Sequence, residues 1–91
     1  MAPDSHPQAR PEVEMHVLPD GSSLLFDPVE SEGHVLSPIG ALTWDYCDGA
    51  LSCAEIATEI AALIPTVSET RGAVLELLDE FSERGLLLSQ M

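Results

Sequence analysis

The chain has 91 residues, 45% of them hydrophobic, which suits one small globular domain and argues against wholesale disorder. Sixteen acidic residues stand against three arginines (Arg10, Arg71, Arg84) and no lysine, for a net charge of −13. Such a surface repels phosphate backbones and anionic lipid, whose binders rely on cations to displace counterions, and it favours a neutral or cationic protein partner.

In chain order, residues 1–11 carry three prolines and no large apolar side chain beyond Met1, which predicts a disordered tail ahead of a domain over residues 12–91. The N-terminus has no charged-then-apolar signal pattern, and no apolar run approaches the roughly 20 residues of a membrane span, so a soluble cytoplasmic protein is expected. Val13, Met15 and Val17 then alternate with Glu12, Glu14 and His16, as in a strand with one wet face. Pro19-Asp20-Gly21-Ser22 supplies turn chemistry. Ser23 to Asp27 gives a second strand, Pro28 to Gly33 an acidic loop, and His34 to Leu36 a short third strand.

Three helices follow. Ser37 caps the first, with Pro38 at its first position, where a missing N–H costs nothing. Its apolar residues are Ile39, Leu42, Trp44 and Tyr46, with Trp44 as a core anchor, and Asp48-Gly49 is its expected stop. Ser52 and Glu55 form a capping box for the second helix, which continues through Ile56, Ile60, Leu63 and Ile64 to a stop at Pro65. Thr66 or Ser68 opens the third, where Val74, Leu77, Leu78 and Phe81 recur at helical spacing and Gly85 is a left-handed cap. Leu86-Leu87-Leu88 returns to the core. The order β-β-β-α-α-α predicts an α+β domain, winged helix-turn-helix-like, with a three-stranded antiparallel sheet followed by three helices.

Little here encodes catalysis or metal binding. Cys47 and Cys53 lie on or beside short apolar helices, and His6, His16 and His34 fall in the tail and on strands, so no cysteine–histidine pair is specified. His16, His34, Cys47 and Cys53 are ligand types without the short paired spacings of zinc modules. The Asp27–Gly33 loop lacks the spaced oxygens of a calcium loop, and no glycine-rich phosphate loop is present. A non-enzyme without catalytic residues, metal or cofactor is expected.

Asp20-Gly21, Leu24-Leu25-Phe26-Asp27 and His34-Val35-Leu36-Ser37 are similar to the opening hairpin of PqqD-like proteins. These are the peptide chaperones of pyrroloquinoline quinone biosynthesis, also called RiPP recognition elements. Pro38 to Trp44, Asp48-Gly49, Glu55-Ile56-Ala57 and Val74 to Leu87 resemble the segments that follow in that family. The chain departs from it in having Ser37 where Asn is frequent and in the acidity of Pro28 to Gly33. The resemblance implies a non-enzymatic module that binds the leader of a ribosomally synthesised precursor peptide. It would present that peptide to a modifying enzyme such as a radical SAM enzyme, a cyclase or a leader peptidase.

The same resemblance implies that the leader adds as a strand beside the third strand, in a cleft lined by the third helix. The site residues are then His34, Val35 and Leu36 on the edge, with Arg71, Leu75, Leu78 and Ser82 on the helix. An exposed edge offers unpaired N–H and C=O groups to an extended peptide, so the mode is physically workable. The same edge leaves a monomer and a weak or strand-swapped homodimer both open. The alternative, a winged-helix DNA-binding regulator, lacks a basic recognition helix: the second helix carries Glu55 and Glu59 and no cation.

Overall fold

The computed structural model describes residues 2–64 and 69–88. Turn chemistry sets the first hairpin, between β1 (Glu14–Val17) and β2 (Ser23–Asp27). Leu18 N–H donates to the Ser22 carbonyl at 2.8 Å and Gly21 N–H to the Leu18 carbonyl at 3.0 Å. Gly21 sits at φ +91°, the left-handed position that closes a three-residue hairpin loop. Asp20 Oδ1 accepts from the backbone N–H and the hydroxyl of Ser22, which holds its carboxyl below the usual value.

β2 also pairs antiparallel with β3 (Glu32–Leu36), giving the order β1-β2-β3 with free edges on β1 and β3. The third strand begins two residues earlier than the sequence suggests, at Glu32, because Asp27 pairs with Glu32 directly across the turn. Ser23, Leu25 and Asp27 face the helices and are buried, while Leu24 and Phe26 face away. Val17 shares the inward parity of Met15 yet is 75% exposed, since an edge strand has a neighbour on one side only.

α1 (Pro38–Asp45) starts as expected, with the Ser37 hydroxyl accepting from Gly40 N–H at 3.1 Å. It ends at Asp45 with Tyr46 as its cap, ahead of the expected Asp48-Gly49 stop. Those two residues instead shape the turn into α2 (Cys53–Leu63), where Asp48 Oδ1 accepts from Ala50 N–H. The capping box of α2 is complete: Glu55 N–H donates to the Ser52 hydroxyl and Ser52 N–H to Glu55 Oε1. Ile56, Ala57 and Ile60 are buried, but Leu63, read as part of that apolar face, is mostly exposed.

α3 (Thr70–Glu83) follows Glu69 in a left-handed conformation; the predicted stop at Pro65 and start at Thr66 or Ser68 lie outside the described residues. Its C-terminus closes with Gly85 at φ +70°, Leu86 N–H donating to the Phe81 carbonyl and Gly85 N–H to that of Ser82, the paired bonds of a Schellman end. Val74, Leu78 and Phe81 are buried together with Leu25, Leu36, Ile56 and Ile60. Trp44 meets the Phe81 ring edge-on at 5.4 Å, an arrangement that contributes about 0.5–1.5 kcal/mol beyond the area it buries.

The N-terminal segment differs from the expected tail. Ser5 and Pro3 carbonyls accept from Cys53 and Ala54 N–H, Pro7 carbonyl from Gly49 N–H, and Gln8 carbonyl from Leu88 N–H. Ala9 N–H donates to the Cys47 carbonyl, and Arg10 N–H to that of Leu86. The reason lies in the start of α2. Its cap and third-position N–H groups are met by the Ser52–Glu55 box, and Ser5 and Pro3 take the two donors left over. Among the described residues no helix is long and apolar enough to cross a membrane.

Candidate functional site

α3 packs on α2 and α1, whereas β3 and α3 face one another without close backbone packing. Between them lies a cleft lined by His34, Leu36, Ser37, Leu77, Phe81, Arg84 and Leu86, with the exposed Val35 and Glu80 at its rim. Its volume of about 210 Å³ is below the ~300–1,000 Å³ of small-molecule sites, so it has room for side chains rather than for a cofactor. Leu36, Phe81 and Leu86 give it an apolar floor that belongs to the core.

The polar end of the cleft is built by one contact. Arg84 Nη1 lies 2.9 Å from His34 Nδ1. A guanidinium only donates, so Nδ1 is the acceptor and the ring proton sits on Nε2, which faces Glu32 Oε2 at 3.8 Å. The His34 side chain is 12% exposed and is held between the two.

The ladder also decides which backbone groups of β3 are free. N–H and C=O of one residue point to the same side of an antiparallel strand and alternate along it. Because Ser22 turns toward β1, Leu24 and Phe26 do too, and Ser23, Leu25 and Asp27 turn toward Leu36, His34 and Glu32. The main-chain groups of Gly33 and Val35 therefore point out of the sheet at the open edge.

Of the residues singled out from sequence, the structure brings His34, Val35 and Leu36 to this cleft and its rim. It does not bring the helix residues with them. Leu75 and Leu78 line a second recess, with Pro3, Cys53 and Asp79, on the α2 side of α3. Arg71 and Ser82 are exposed and line neither recess. The α3 residues that do face β3 are Leu77, Glu80, Phe81 and Arg84, an i, i+3, i+4, i+7 set of which the apolar periodicity marks only Leu77 and Phe81.

A family model described as Coenzyme PQQ synthesis protein D (PqqD) matches residues 22–87, most of the chain. The chain belongs to the PqqD family. Comparison with curated proteins and with solved structures gave no match. The family's role is that of a non-catalytic chaperone for a ribosomally made precursor peptide, working with a modifying enzyme. The span that carries the PqqD match contains β3, α3 and the whole of the cleft; β1 and residues 2–21 lie before it.

Both cysteines of this PqqD-family chain are buried and uncharged. Burial, followed by the nearby Cys53 and Asp48, pushes the Cys47 thiol up to about 12, and its Sγ donates to the Thr43 carbonyl. Burial also raises Cys53. Both are therefore protonated packing residues at neutral pH. Among the described residues no three His, Cys, Asp or Glu side chains come together as a metal-ligand set.

Proposed function

We propose that the protein is a non-enzymatic module that binds the leader region of a precursor peptide as an added strand on β3 and presents it to a modifying enzyme. The observation that carries this reading is the open β3 edge beside an apolar cleft. Main-chain donors and acceptors of Gly33 and Val35 would pair with the peptide. Its inward side chains would enter between Leu36, Leu77 and Phe81, and its polar groups would meet Arg84 and His34. Family membership supports the partner class. Net charge supports it as well, since α2 and α3 present carboxylates where a DNA-binding helix needs cations.

Calorimetric titration with the precursor peptide encoded beside this gene tests the reading. Val35→Pro deletes an N–H that points away from β2, so the fold should persist. Peptide affinity should fall by about 1–3 kcal/mol, roughly 5- to 150-fold, because the facing peptide carbonyl loses its donor. An unchanged affinity in a folded Val35→Pro variant would rule out strand addition at this edge.

A further inference from the structure

Side-chain alternation divides β3 between two faces. His34 and Leu36 turn into the cleft, and Val35 turns to the opposite side of the sheet. There Leu24 lies between Val35 and His16, and Phe26 between Gly33 and Glu14. A Cβ on Gly33 would fall 3.2 Å from Leu24 Cδ1, so Gly33 belongs to this face and leaves one flank of Phe26 bare. Phe26 is 36% exposed and Val35 69%. The helices bury their apolar residues on the other side of the sheet, with Leu25 and Leu36. Three apolar side chains in register on an uncovered face make a patch of the kind that marks interaction surfaces.

Charge restricts what can cover it. Glu14 lies on the face, and Glu30 sits in the adjoining turn. None of the three arginines is there: Arg10 is bound to Asp27 and the Gly85 carbonyl, Arg84 is in the cleft, and Arg71 is on α3. A second copy of a chain of charge −13 would bring like charge to like. A partner with an apolar centre bordered by lysine or arginine would not.

We propose that this outer face of the sheet docks the peptide-modifying enzyme, through such a basic-rimmed apolar surface, while the peptide occupies the cleft behind it. The proposal rests on the peptide-delivery reading above. It also uses a continuity between the two surfaces: a peptide strand added at Gly33 and Val35 would extend the outer face, with alternate peptide side chains beside Val35. The enzyme would then hold the sheet next to its substrate.

The test uses the purified modifying enzyme encoded beside this gene. Its affinity is measured for the wild type, Phe26→Ser and Glu14→Lys, and precursor affinity is measured separately. Phe26→Ser should weaken enzyme binding at least about tenfold, as loss of a central aromatic anchor does. Glu14→Lys, at an exposed position on the edge strand, should weaken it roughly threefold, more at low salt than at high salt. Both should keep precursor affinity within about twofold of the wild type. Unchanged enzyme affinity in both variants overturns the proposal. So does a Phe26→Ser variant that loses peptide and enzyme alike while Glu14→Lys loses neither. A wild-type dimer that Phe26→Ser dissociates gives the face to a second copy instead. Failure of the cleft reading has a different signature: Leu77→Ser and Val35→Pro would leave precursor affinity unchanged.

Discussion

Asp27 is 1% exposed in a chain of charge −13, and it takes one of only three arginines as its partner. Arg10 donates to both carboxylate oxygens, at 3.0 and 3.4 Å, and also to the Gly85 carbonyl at 2.7 Å, so one side chain ties β2 to the end of α3. Burial pushes the Asp27 carboxyl up. Hydrogen bonds from Arg10 and from the backbone N–H groups of Val29 and Glu30 outweigh it, leaving the group below its ordinary value. A carboxyl depressed in the folded state contributes stability that is present above its unfolded value and lost as pH falls through its folded one. Urea midpoints should therefore fall as pH is lowered below about 4, and Asp27→Asn should reduce that slope while lowering stability at neutral pH. Asp20 and Glu55, also depressed, should sustain the remainder of the slope. The raised Cys47 thiol makes a second prediction at this scale. At pH 8 its modification by a thiol reagent should proceed no faster than global unfolding, whereas a rate matching a free thiol would show the site to be open.

The ends of the helices are where single substitutions have calculable effects. Ser52→Ala should cost about 1 kcal/mol by removing the hydroxyl that accepts from Glu55 N–H, while the Ser52 N–H still donates to Glu55 Oε1. Gly85→Ala should cost about 1 kcal/mol with no clash to explain it, since open space surrounds the missing Cβ and only the left-handed φ opposes it. Urea titration measures both. These caps were readable in the sequence because each is written within four residues, and so were the hairpin at Gly21 and the order of the six elements. Which flank of α3 lines the cleft was not. Val74, Leu75, Leu77, Leu78 and Phe81 form one broad stripe, and Leu75 and Leu77 are separated by about 200° of helix rotation, on opposite flanks of Val74 and Phe81. Periodicity finds the stripe but not which flank meets α2 and which meets β3. That choice is made by how α2 and the sheet pack, and it puts Leu77 in the cleft and Leu75 in the recess beside Pro3.

At the scale of the whole molecule, the chain closes on itself through its N-terminal segment. Residues 3–10 run between the α1–α2 turn and the segment after α3, and their main chain makes the bonds. A proline-rich polar composition says nothing about carbonyls, so the sequence offered no sign of this beyond Arg10. Its partners can be counted. Ser5 and Pro3 satisfy Cys53 and Ala54 N–H at the start of α2, Pro7 satisfies Gly49 N–H, Gln8 satisfies Leu88 N–H, and Ala9 satisfies the Cys47 carbonyl. Deleting residues 2–9 keeps the Arg10–Asp27 pair but strands those groups, and water can reach the half-buried Ala54 more easily than the buried Cys53. A net loss of about 2–3 kcal/mol in urea unfolding is expected, less than the gross bond energy because the segment no longer has to be ordered. Hydrogen exchange should locate it, with the Cys53 and Ala54 amides slow in the full chain and fast in the truncated one. Precursor affinity should not change, since none of residues 2–9 lines the cleft. An unchanged urea midpoint would show instead that the segment adds nothing to the domain, and that α2 meets its first-turn donors with water.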